Sequence, residues 1–188
     1  QQWQVSPDGL TYRFKLRPNV SFHQTDYFTP GRYFNAEDVV FTFNRMLLVE
    51  HPFFQTATEY PYFDSIEWRH RVKSITALSA DEVEFRLNQP DSSFLSVLAT
   101  DFAAILSGEY GAQLVAKQQK PLLDTQPIGT GPFKFRQYQK DVLIRYYRHD
   151  GYWRQHGDLQ QLVIDIVPDN TKRLAKLLTR ECDIAPIP

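Results

Sequence analysis

The sequence predicts an α+β (mixed α/β) fold, with hairpin-rich sheets and flanking helices. Three observations carry this. Alternating apolar and polar runs come in pairs joined by short polar turns, which is hairpin patterning. Capped segments with apolar residues at helical spacing stand between and after those pairs. The composition, 42% apolar and 23% charged over 188 residues, is that of a chain that buries a core.

The elements follow in order. "WQVSPDGLTYRFKLRPNV" reads as a hairpin. Ser6-Pro7-Asp8-Gly9 forms its turn, and Tyr12, Phe14 and Leu16 alternate with Arg13, Lys15 and Arg17. The cationic face is read as solvated. "FNAEDVVFTFNRMLL" reads as a helix capped by Asn35, with Asp38 in the first turn, where a carboxylate suits the helix dipole. Val39, Val40, Phe43, Met46 and Leu47 share one face and are core positions, and His51-Pro52 ends the helix. "FFQTATEYPYFDSIEW" is expected as a long aromatic-rich loop. "RVKSITALSADEVEFRL" gives a second hairpin, with Val72, Ile75 and Leu78 in one arm, a turn at Ser79-Ala80-Asp81, and Val83, Phe85 and Leu87 in the other. "DSSFLSVLA" is a short helix capped by Asp91 or Ser92, with Phe94, Leu95 and Leu98 on one side. "SGEYGAQLVAKQQ" is a further helix.

Near Pro121 the character changes. A third hairpin runs through Phe133–Tyr138 and Val142–Tyr147, joined at Lys140-Asp141. "HDGYWRQHGD" is a polar turn, and "LVIDIV" is expected as a short buried strand. "DNTKRLAKLL" is a capped helix with Leu174, Leu177 and Leu178 expected inward, and "CDIAPI" is expected as a last strand.

Charge and motifs exclude several function classes. The net charge is −1, so no basic excess argues for nucleic acid, and no apolar run is long enough to insert into a bilayer. Aromatics reach 14%, which suits either a packed core or a surface for organic ligands. The single cysteine, Cys182, forms no internal disulfide and is expected to be a buried structural thiol in an apolar strand. The chain opens "QQWQV", without Met or a signal peptide.

The run Gly129-Thr130-Gly131 resembles a phosphate loop at first sight. A phosphate loop needs a Lys-Ser/Thr pair and a helix behind it. Here Pro132, which has no N–H, and then a strand follow, so the run is read as a sharp turn between modules. None of the five histidines makes a tight metal spacing. His149 and His156, with Asp150 and Asp158, are the one grouping that supports a rival reading, a metal-dependent hydrolase. No metal and no cofactor are expected, and catalysis is not written in the chain.

The positive signal lies in the order of segments. "SPDGLTYRFKLRPNVSFH", "FNAEDVVFTFNRM" and "PIGTGPFKF…IRYYRHDGYW…VIDIVPDNTKRLAKLLTRECDIA" resemble, in this order, the large periplasmic solute-binding proteins of peptide and nickel ABC importers. The longer link "HQTDYFTPGRYFNAED", with "PYFDSIEW", "FRLNQPDSSFL" and "LAKLLTRECDI", resembles the family's Sap branch. That branch is associated with antimicrobial peptides, and haem has also been proposed for it. The resemblance implies part of a type II (cluster C) periplasmic-binding-protein fold. Residues 1–122 would be the smaller module of the first lobe and 123–188 the central part of the main lobe, with the N-terminal strands and second lobe absent. It also implies a periplasmic receptor that binds its ligand, a peptide such as a cationic antimicrobial one or haem, and hands it to an inner-membrane permease. In related binders the loop over residues 53–63 offers an aromatic to the ligand, so Tyr60, Tyr62 and Phe63 are the implied binding residues.

Overall fold

The computed structural model describes residues 2–54 and 60–186. Two antiparallel sheets organise them. The first has four strands in the order β1-β2-β4-β3, from β1 (Gln2–Val5), β2 (Thr11–Lys15), β3 (Val72–Ser79) and β4 (Glu82–Leu87). The second has three, β5 (Phe133–Gln139), β6 (Leu143–Arg148) and β7 (Gln161–Asp165), in chain order. The α+β expectation and all three hairpins are observed.

In the first sheet the alternation decides which face is buried. Tyr12 opposes Phe85 and Phe14 opposes Val83 on the apolar face, while Arg13 opposes Glu84 on the other. The cationic face is not simply solvated. Glu84 accepts from Arg13 Nε and Arg86 Nε, each at 2.7 Å, and these bonds hold its carboxyl below the usual carboxylate range. Lys15 pairs with Asp81, and the Arg17 guanidinium lies 4.5 Å from the centre of the Trp153 ring.

Helix α1 (Ala36–Leu47) lies across the apolar face of this sheet. Its Asn35 cap accepts from Glu37 N–H, and Asp38 reaches back to the Asn35 N–H, completing a capping box. Val39, Phe43 and Met46 are buried as their spacing requires. Phe43 stacks on Trp68 at 5.3 Å and meets Phe85 edge-on at 5.4 Å. The helix stops at Leu47, before Pro52 imposes its restriction, because Leu48 is already extended.

The expected aromatic loop is partly helical. Pro61 opens α2 (Pro61–Ser65), where a missing N–H costs nothing, and α3 (Trp68–Arg71) follows. Residues 55–59 of that loop lie outside the described residues. Leu78 is exposed, because irregularities in the β3–β4 register shift its side chain off the buried face. α4 (Phe94–Leu98) has Ser93 as its cap residue, with Asp91 accepting from the Ser93 N–H, and it buries Phe94 and Val97. A 3₁₀ turn at Asp101–Ala103 leads to α5 (Gly108–Ala116), capped by Ser107. At Gly111 a Cβ would lie 2.3 Å from the Phe41 ring, so only glycine lets α5 approach α1 this closely. α6 (Leu122–Thr125) then joins a second core of Phe22, Phe28, Phe53, Tyr110, Leu114 and Ile128.

The C-terminal third departs from expectation. β7 is not buried, since Leu162, Val163 and Ile164 are all exposed. α7 (Asn170–Leu178) forms with Asp169 as its cap, but Leu174, Leu177 and Leu178 face solvent. Residues 182–186 form no strand, since no described strand offers them a ladder, and residue 187 lies outside the described residues. Cys182 is therefore only half-buried, with Sγ 3.9 Å from Asp165 Oδ2. Among the described residues no helix is long and apolar enough to cross a membrane.

Candidate functional site

Two surfaces concentrate the functional candidates. The first is an aromatic wall around α2. The Tyr62 ring lies parallel to Phe102, with centroids 4.3 Å apart and 12° between planes. Phe102 sits on the 3₁₀ turn and is 56% exposed, so the stack presents aromatic surface to solvent. Tyr60 is half-buried. Its hydroxyl donates to Phe53 O at 3.2 Å, Arg45 lies over its ring at 5.3 Å, and burial raises its pKa. Phe63 is a core residue, edge-on to Phe43 and Trp68. The structure thus gathers the three aromatics at one short helix, Tyr60 as its cap residue and Tyr62 and Phe63 within it, but aims them differently. Phe102 could not be read from sequence, because 40 residues separate it from Tyr62 and neither spacing nor motif links them.

The second surface is the seam where residues 20–28 meet the Gly129-Thr130-Gly131 run. His23 N–H donates to Gly129 O at 2.8 Å, and Tyr27 Oη donates to Pro127 O at 3.1 Å. The His23 ring closes the seam. Its Nδ1 accepts from Gly129 N–H at 3.3 Å, so Nε2 carries the proton donated to Gly131 O at 3.0 Å. His149 Nδ1 meets the same Gly131 oxygen at 3.1 Å, and the two imidazoles cross edge-on at 4.8 Å. Burial pushes the His23 pKa down to about 4, against the pull of its bond to Gly131, and also lowers that of His149.

Neither Gly129 nor Gly131 occupies the left-handed region, in contrast to Gly9 at φ +70°. Their contribution here is backbone: the Gly129 N–H and the Gly131 carbonyl bind imidazoles, and the Gly129 carbonyl takes the His23 main-chain N–H. Beside the seam opens a cleft of about 690 Å³. Ser21, Gln24 and Tyr33 line one side, and Lys134, His149 and Gly151 the other.

His149 and His156 do not converge as a metal site. His149 is buried against Gly131, while His156 is exposed and its nearest polar partner is Gly157 O at 3.4 Å. Among the described residues no group of three or more His, Cys, Asp or Glu is placed to hold a metal ion.

Comparison with known proteins gives this geometry its context. The family model "Bacterial extracellular solute-binding proteins, family 5 Middle" matches residues 1–188. The chain is 49% identical over 185 residues to the peptide transport periplasmic protein SapA of Salmonella typhimurium, covering 98% of this chain and 34% of that protein. It is 42% identical over 189 residues to heme-binding protein A of Haemophilus influenzae, covering 100% of this chain and 35% of the relative. The crystal structure of a dipeptide binding protein from Pseudoalteromonas sp. SM9913, in complex with Met-Leu, superposes with a TM-score of 0.95 at 45% identity, over 97% of this chain and 36% of that one. The chain spans about a third of the length of the curated relatives it matches. A family match along its whole length, joined to this fold, places the chain among the bacterial extracellular solute-binding proteins of family 5.

Proposed function

We propose that this chain is part of the periplasmic substrate-binding component of an ABC importer for peptides. The component binds a peptide between two lobes and delivers it to an inner-membrane permease, without catalysis. The single observation that carries this is the 0.95 superposition, over nearly the whole chain, on a dipeptide binding protein holding Met-Leu. In this reading residues 1–122 belong to the smaller module and 123–188 to the main lobe, linked through Gly129-Thr130-Gly131. The two separate sheets support that division. Tyr62 and Tyr60 supply part of one wall of the cleft, and Phe63 supports them from the core. Affinity comes from closure around a largely pre-formed site.

A cationic antimicrobial peptide or haem is the finer alternative, supported by likeness to the SapA protein and to heme-binding protein A. Calorimetric titration of the protein carrying this chain with Met-Leu, a lysine-rich peptide and haem tests all three. Saturable heat with a peptide, reduced about 2- to 10-fold in affinity by Tyr62→Ala, is the expected result. Silence with both peptides beside stoichiometric haem binding would overturn the peptide reading.

A further inference from the structure

The cleft beside the histidine seam has a chemistry of its own. A carbonyl oxygen only accepts, so the contact with Gly131 O puts the His149 proton on Nδ1 and leaves Nε2 with a bare lone pair. The His149 main-chain N–H donates to Pro132 O at 2.8 Å, which fixes the backbone that carries the ring, and the bond to Gly131 O orients the ring itself. Among the described residues no protein donor reaches Nε2. Burial lowers the His149 pKa, which keeps that nitrogen an acceptor at neutral pH.

Gly151 faces this atom. A side chain at position 151 would put its Cβ 3.0 Å from Nε2, at hydrogen-bond distance and in the place where a donor would sit. The next nearest residue there is Ser21, whose Cβ is 3.8 Å away. Asp150 borders the same cleft, with one oxygen bonded to Arg148 Nε at 2.8 Å. Lys134 lines it too, and no carboxylate pairs with it among the described residues. Arg32, the other cation of the lining, is committed to Asp38 through two bonds. The side of the cleft that holds His149 thus offers an acceptor in Nε2 and a negative charge in Asp150, and the Lys134 ammonium stands beside them, near enough that its charge helps to lower the pKa of both.

We propose that this cleft binds a small zwitterion, with an ammonium group on His149 Nε2 and Asp150 and a carboxylate on Lys134. A free α-amino acid and a short peptide both carry that pair of groups. The site shares no residue with the aromatic wall and does not depend on the peptide-receptor reading.

The test is nitrogen NMR of the histidine-labelled protein, with calorimetry, using L-leucine, Met-Leu, N-acetyl-leucine and leucinamide as probes. Leucine or Met-Leu should move the His149 Nε2 resonance saturably, and whichever does so at lower concentration identifies the source. N-acetyl-leucine and leucinamide, each lacking one charge, should bind at least about 10-fold more weakly, the loss expected for one charge-assisted contact. Lys134→Met should weaken leucine by a similar factor and leave leucinamide unchanged. Gly151→Ala should abolish the shift while the amide spectrum stays folded. If no probe moves Nε2, or if Lys134→Met leaves leucine binding unchanged, the proposal fails.

Discussion

The Asp38 carboxylate is fully buried and accepts from Arg32 Nη1 and Nη2, from Asn35 N–H and from Gly108 N–H, at 2.7 to 2.9 Å. It therefore joins three segments: the link before α1, the helix cap, and the start of α5. Its helix position was legible, because a carboxylate three residues after an Asn cap is a local pattern. Its partners were not. Arg32 lies in a loop with no periodicity, and Gly108 is 70 residues away. The same limit hid the His23–Gly131 bond, which spans 108 residues. Removing the buried carboxylate leaves the Asn35 and Gly108 N–H groups without an acceptor and the partly exposed Arg32 without its partner. Asp38→Ala is expected to lower stability by about 3–5 kcal/mol in urea unfolding. The double variant with Arg32→Ala should cost clearly less than the sum of the two single changes. Additive costs would show that the two side chains do not act as a unit.

At the scale of elements, caps and periods were legible and their surroundings were not. Asn35 caps its helix as the sequence indicates, and Ser107 and Asp169 cap theirs, whereas α4 takes Ser93 as its cap residue rather than Asp91 or Ser92. Hydrophobic spacing then reports that a helix has an apolar stripe, without saying what covers it. In α1 the stripe meets the first sheet, whereas in α7 Leu174 and Leu178 remain 56% and 75% exposed. β7 shows the same divergence: a continuous apolar run predicts burial, yet its residues are exposed. Exposed side chains contribute little to folding of this chain. Leu174→Ser and Leu178→Ser should each shift its unfolding free energy by no more than about 0.5 kcal/mol. Phe43→Ala, in the aromatic core under α1, should cost about 3–5 kcal/mol in the same denaturant titration. A large loss from either leucine change would mean that α7 is covered in solution.

The whole molecule is joined at the seam that His23 closes, and its acid response should follow from that ring. The neutral imidazole accepts from Gly129 and donates to Gly131 at once. Protonation puts a second N–H on Nδ1, against the Gly129 donor, and charges a buried ring. In the unfolded chain the group titrates near its ordinary 6.5, whereas in the folded chain it titrates at about 4. Between these values the unfolded chain binds a proton that the folded chain refuses. Stability therefore falls as pH drops below about 6.5 and levels off, for this group, below about 4, a loss on the order of 3 kcal/mol. The lowered pKa of His149 acts in the same direction. The carboxylates Glu84 and Asp91, whose pKa values are depressed, begin to lose their contribution as pH falls through their ordinary values of 4.5 and 3.8, and they do so equally in any His23 variant. His23→Leu should cost about 1–3 kcal/mol at pH 7.5, because the Gly129 N–H loses its acceptor. The same change should flatten the slope of stability between pH 4 and 6.5. Urea unfolding across that range, on both proteins, reads the difference directly. Parallel profiles would show that His23 titrates alike in the folded and unfolded chains, and that the seam is no barrier to its proton.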